Sequence, residues 1–164
     1  MNRKKQAQKG TGKSADGSHA VAAVTDDIRP GQSIELLKEL HILTREGRLN
    51  QDSRRKLKQV YHLYQFIEKL LDEIGAQHEA GQPELTLADH GAGKSYLGFI
   101  IYDLFFKALK TGHIDGIETR PELVNKSRDL AQRLGFERMS FLNLSVAQAT
   151  QSGALPERID VVTA

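Results

Sequence analysis

From residue 84 onward the chain alternates short apolar runs with helical patterns, and few folds accommodate that alternation. Leu85 to Ala88 reads as a buried strand ending at Asp89, followed by the turn His90-Gly91-Ala92-Gly93. A helix apolar on nearly every side is expected from about Lys94 to Lys110, so it should be buried on more than one face. Thr111-Gly112 breaks it, and Ile114 to Ile117 forms a second strand ending at Glu118. Pro121 suits the first turn of the next helix, whose inner face is marked by Leu123, Ser127, Leu130 and Leu134 before Gly135 stops it. A third strand spans Met139 to Leu142, a short helix runs from Val146 to Gln151, and a fourth strand covers Ile159 to Thr163. This half is therefore expected to be α/β with a parallel sheet.

The preceding residues are different. Residues 1–24 carry five basic residues against Asp16, a net +4 that exceeds the +2 of the whole chain. They show no periodicity and are expected to be a disordered basic tail, either a solvated terminus or an arm attracting nucleic acid weakly through phosphate contacts. Residues 25–80 form a helical lead-in segment. Ser33 is a suitable N-cap for a helix carrying Leu36, Leu37, Leu40 and Leu43 up to Gly47. Asp52 or Ser53 can cap a second helix with Leu57, Val60, Tyr64, Ile67, Leu71 and Ile74 on one face, ended by Gly75. Its first turn holds Arg54, Arg55, Lys56 and Lys58, a solvated face or a phosphate-facing one. The third part is residues 81–164.

With 164 residues, one core of ordinary size is available. The absence of cysteine excludes a disulfide framework and any thiolate metal site, and no pair among the six histidines has metal-ligand spacing. No apolar stretch reads as a signal peptide or approaches a membrane span, so the expectation is a cytoplasmic protein without membrane contact.

The chemistry concentrates in the glycine turn. Gly91 and Gly93 let the backbone turn sharply and approach a ligand with no Cβ in the way, and the helix start adds exposed N–H groups. Glu118, at the end of the adjoining strand, can accept hydrogen bonds from both hydroxyls of a ribose, within about 8 Å of the turn. The loop Asn143-Leu144-Ser145-Val146 borders the same crevice, where it can offer polar contacts to an adenine edge or serve only in helix capping. A rival reading is a P-loop, since Gly93-Lys94-Ser95 matches its end. Ala88 stands where its first glycine belongs, and Asp89 would face a triphosphate unfavourably. A second copy at residues 10–14 has Ala7 at that position and no strand before it.

The stretches LADHGAGKSYLGF, GIETRPELVNKSRDLAQRLGF, SFLNLSVAQA and IDVVTA resemble class I S-adenosylmethionine-dependent methyltransferases. The similarity is greatest to the branch with a D-x-G-x-G-K-G-Y-L motif, which includes the C-terminal domain of glutathione S-transferase C-terminal-domain-containing protein. It covers residues 84–164 and the helix 52–74. The resemblance implies an α/β, Rossmann-like parallel sheet with strand order 3-2-1-4 and S-adenosyl-L-methionine as cofactor, with Asp89, Gly91 and Gly93 in the glycine motif, Glu118 as the ribose acid and Ser145 and Val146 beside the adenine. Ser95 departs from the family's frequent glycine and is expected to crowd the methionine moiety. His90 replaces an apolar residue, and Ala92 stands where cysteine is frequent.

The family's sheet has seven strands, whereas four are legible here. The expectation is a front portion lacking roughly 90 residues, with most of a cofactor site and no acceptor side. Such a portion, inactive alone, would expose the edge of its fourth strand and self-associate. The expected function is methyl transfer to an unidentified acceptor, and no catalytic base is assigned. The alternatives are a non-catalytic methyltransferase-like binding module, RNA-associated through its basic tail and helices, and third a P-loop-like NTPase.

Overall fold

The computed structural model describes residues 26–77 and 84–164. The basic tail and the 10–14 glycine-lysine-serine copy lie outside the described residues. Four strands, β1 (Thr86–His90), β2 (His113–Ile117), β3 (Met139–Leu142) and β4 (Val161–Thr163), form one parallel sheet in the order β3-β2-β1-β4. β1 lies between β2 and β4, with Asp89 opposite Gly116 on one side and Thr163 on the other. The expected strand order and parallel pairing are both present. β4 begins at Val161 rather than Ile159, and Asp160 instead receives the Thr86 N–H on its carboxylate at 2.9 Å.

Helices cover both faces. Helix α1 is Ile34–Glu39 and helix α2 is Gln51–Gln77. Helix α3 begins as Tyr96–Ile101, widens into a π-helical segment over Tyr102–Phe106, and closes with Lys107–Leu109. Helices α4 (Pro121–Leu134) and α5 (Val146–Gln151) follow β2 and β3. Alternation along the strands divides the core. Leu87 and Ile114 join Leu57, Tyr64, Leu71, Phe99 and Phe106 on the larger side. Ala88 and Ile117 meet Ala149 of α5 on the other. Among the described residues, no helix is long and apolar enough to cross a membrane.

Several boundaries differ from the sequence expectation. Ser33 does cap α1, its Oγ accepting from Leu36 N at 3.2 Å, but α1 ends at Glu39 rather than near Gly47. The chain reverses there because His41 takes a left-handed φ of +55°, which directs the Ile42 and Leu43 N–H groups back to the Leu37 carbonyl. Helix α2 starts two to three residues earlier than those caps imply, at Gln51, and Asn50 rather than Asp52 or Ser53 supplies the cap, its Oδ1 accepting from Ser53 N at 2.8 Å. Gly75 does not end it: this glycine keeps a negative φ and costs the helix only propensity. Helix α4 turns its face toward Val124 and Ala131, which are buried with Ser127 and Leu130, while Leu123 and Leu134 are half-buried.

The lead-in helices pack onto the sheet's own helices. Arg133 of α4 forms a two-pronged pair with Glu39 of α1, at 2.6 and 3.0 Å. Asp103, buried in the π segment, accepts from Ser33 N at 2.7 Å and Lys107 Nζ at 3.1 Å, and from Gln32 Nε2. The cations of the first α2 turn are partly used internally. Arg54 pairs with Asp27 at 2.9 Å, and the Lys56 ammonium lies 5.5 Å from the centroid of the Tyr96 ring.

Candidate functional site

The glycine turn is built by the end of β1 and the start of α3. Gly91 and Gly93 have φ of +67° and +57°, a region where side chains are strained, as the sequence reading expected. Among the described residues, a Cβ placed on Gly91 would have nothing within 4 Å, so none of them blocks this part of the turn. The Ala92 N–H donates to the Ile117 carbonyl at 3.0 Å, clamping the turn against the end of β2.

That clamp brings Glu118 over the turn. Its Oε2 accepts the Gly93 N–H at 2.9 Å, well inside the separation expected from sequence. The carboxylate is buried and densely solvated by donors. Oε1 accepts from the Arg120 N–H and Nε, both at 3.0 Å, and Oε2 from Arg120 Nη2 at 2.9 Å. The Arg120 side chain, then its backbone N–H, hold the Glu118 carboxyl down at about 2, with help from the Gly93 N–H against the opposing effect of burial. Glu118 is therefore ionised throughout the neutral range. Arg120 was not anticipated from sequence; the available signal was a guanidinium two residues beyond a strand-end acid.

Asp89 lies beneath the turn. It is buried, its Oδ1 accepting from Thr163 Oγ1 at 2.7 Å and its Oδ2 from Ser95 Oγ at 3.5 Å. Burial pushes its pKa up, opposed by these two hydroxyls. Ser95 is itself 1% exposed and adopts φ +52°, so helix α3 starts at Tyr96 and not at Lys94. Its hydroxyl occupies the space that a Cβ on Gly98 would need, 2.7 Å away. The Ser95 side chain thus points inward to Asp89. The His90 Nε2 is enclosed and has no hydrogen-bond partner among the described residues.

The loop after β3 is tied to the same corner. Asn143 Nδ2 donates to the carbonyls of Glu118 and Thr119 at 3.1 and 2.9 Å, so Asn143 staples two strand ends together. Ser145 forms a complete capping box with Gln148, leaving its hydroxyl and N–H engaged within α5, and Val146 is exposed beside it. Of the two readings for Ser145, capping is the one its hydrogen bonds display.

These residues fit a nucleoside cofactor: a turn in which no described residue meets the Cβ position of Gly91, and a carboxylate held ionised against it. A concavity of about 570 Å³ lined by Arg128, Phe136 and Phe141 includes none of them. A groove of about 300 Å³ flanks the turn through Lys94, Tyr96 and Leu123. Among the described residues no cluster of His, Asp and Glu could hold a metal ion.

No curated protein matches the chain. Among solved structures, a SAM-dependent methyltransferase from Aquifex aeolicus is 26% identical, with a TM-score of 0.32, covering 48% of this chain and 37% of that one. An rRNA methylase from Streptococcus thermophilus is 12% identical, with a TM-score of 0.38 and coverages of 49% and 44%. The bifunctional kinase-methyltransferase WbdD is 17% identical, with a TM-score of 0.45 and coverages of 84% and 26%. The chain thus spans less than half the length of each of these three. A family model described as a methyltransferase domain matches residues 55–164, from within α2 to the last residue of the chain. With that match on a parallel β3-β2-β1-β4 sheet, the chain belongs to the class I methyltransferase-domain family.

Proposed function

We propose that this chain binds S-adenosyl-L-methionine across the Gly91–Gly93 turn and Glu118, and serves methyl transfer to an acceptor of unassigned identity. The observation that carries the reading is the 2.9 Å contact between Glu118 Oε2 and the Gly93 N–H, which joins a strand-end acid to a glycine turn at one crevice. The cofactor, when bound, supplies a methyl group already activated on a sulfonium. The chain's own part is binding and orientation. Glu118 accepts from the ribose hydroxyls, Gly91 and Gly93 admit the ligand close to the backbone, and Asp89 holds the turn through Ser95 and Thr163. Val146, exposed at the first position of α5, flanks the adenine, with Ser145 as the cap of that helix. No catalytic base is assigned. The D-x-G-x-G-K-x-Y-L pattern over Asp89–Leu97 supports membership of the branch that includes the glutathione S-transferase C-terminal-domain-containing protein.

The test is calorimetric titration with S-adenosylhomocysteine. Binding by the wild-type chain, lost in Gly93→Val and Glu118→Ala, supports the reading; binding unchanged in both variants overturns it. Binding without methyl transfer by a longer chain would favour a non-catalytic module, RNA-associated through the basic tail. The P-loop alternative is disfavoured by Ser95, whose hydroxyl is buried against Asp89 where a nucleotide-bound metal could not reach it. ATP binding in the same titration would revive that alternative.

A further inference from the structure

Glu118 has no lone pair to spare. Its four hydrogen bonds at 3.0 Å or less come from Arg120 N, Arg120 Nε, Gly93 N and Arg120 Nη2. A carboxylate offers about four acceptor directions, so the set is complete. Two of those bonds are the parallel prongs of one guanidinium, reaching one oxygen each. Arg120 Nη2 is also the heavy atom nearest to where a Cβ on Gly93 would stand, at 3.7 Å, so the guanidinium lies over the turn itself. The Arg120 side chain is 59% exposed and, among the described residues, hydrogen-bonds to Glu118 alone.

The two N–H groups of such a fork lie side by side and point the same way. So do the two hydroxyls of a ribose cis-diol. Both need the same pair of carboxylate oxygens. We propose that Arg120 is the affinity-setting residue of this crevice: its guanidinium stands in for a ribose cis-diol on Glu118, and the site accepts a nucleoside only as Arg120 lets go. This rests on the nucleoside reading of the crevice given above. Without a ligand, the fork keeps a buried carboxylate from being left without a counter-charge. With one, two neutral O–H donors replace two charge-assisted N–H donors, so Arg120 competes directly against the ligand. Because one partner of the pair is open to solvent, salt weakens the competitor.

The experiment measures S-adenosylhomocysteine binding to the full chain and to Arg120→Ala, Arg120→Lys, Glu118→Ala and the Arg120→Ala/Glu118→Ala double variant. Arg120→Ala should bind about five- to ten-fold more tightly than wild type. Arg120→Lys should fall between, since an ammonium is a point charge without the fork. Raising salt from about 50 to about 500 mM should tighten wild-type binding and leave Arg120→Ala unmoved. As a readout independent of affinity, the Arg120 Nε–H resonance should shift when S-adenosylhomocysteine is added. Equal or weaker binding by Arg120→Ala, with wild type still binding, overturns the role of Arg120 and leaves the site reading standing. Binding retained by the double variant, or absent from every protein, overturns the site reading and this inference with it.

Discussion

Ser95 and Gly98 share one small volume beneath the glycine turn. The Ser95 hydroxyl sits 2.7 Å from where a Gly98 Cβ would stand, and Asp89 Oδ2 lies 3.5 Å from that point. Gly98→Ala should therefore overpack the site and cost about 1–3 kcal/mol in urea unfolding. Ser95→Gly removes the obstructing hydroxyl and suits the φ of +52°, so the double variant should recover most of that loss. Simple additivity of the two changes would contradict this packing. Asp89 offers a second test. Its pKa is raised above the ordinary 3.8 by burial, so the folded state holds the proton more tightly than the unfolded chain. The contribution is present in full below the unfolded value and is lost as pH rises through the folded one. Asp89→Asn abolishes this loss. The Tm of the variant, relative to wild type, should rise between pH 3 and pH 7; a pH-independent difference would show that Asp89 is not destabilised by its burial.

Among the elements, the joint between α1 and α3 depends on Asp103. Its side chain is fully enclosed and gathers Gln32, the Ser33 N–H and the Lys107 ammonium. Asp103→Ala would leave these donors without their acceptor, two of them at the N-terminal end of α1. The expected cost is about 2–4 kcal/mol by denaturant midpoint, with Asp103→Asn losing less because an acceptor oxygen remains. A loss under about 0.5 kcal/mol would mean that water replaces the carboxylate. Arg138 works similarly at the other end of α3, donating through Nη2 to the Phe106 carbonyl at 2.8 Å and through Nη1 to the Gly112 carbonyl at 3.0 Å.

Over the whole molecule, one apolar core runs from Leu36 and Leu57 of the lead-in helices to Leu87 and Ile114 of the sheet. Leu71 is fully enclosed in it. Leu71→Ala should cost about 2–5 kcal/mol, and hydrogen exchange should show the β1 and β2 amides losing the same protection as those of α2. Loss confined to α2 would mean that the lead-in helices melt separately. A second property belongs to the side of β4 away from β1: among the described residues β4 pairs with β1 only, and Val162 is 54% exposed. The concentration dependence of light scattering should fall in Val162→Lys, because charge on an open edge opposes strand pairing between chains. Identical scattering would show that the edge does not mediate association.

The periodicity from residue 84 onward was sufficient to specify a parallel α/β sheet, because alternating strand and helix patterns leave few ways to bury both faces, whereas the strand order followed from the resemblance of the motifs. It also located the glycine turn, since the left-handed φ values found at Gly91 and Gly93 favour residues without a Cβ. Glu118 was legible as a strand-end acid for the same topological reason. Helix ends were not: His41 and Ser95 take left-handed backbones without glycine, whereas Gly75 stays helical. Such choices depend on what the neighbouring side chains and N–H groups meet after packing. Tertiary structure alone decided that Asp89 faces Thr163, 74 positions away, and that Asp103 joins α3 to a segment 70 positions earlier. It alone placed the Arg120 guanidinium across Glu118 and over Gly93, because a side chain's direction is set by the space and partners that folding brings to it.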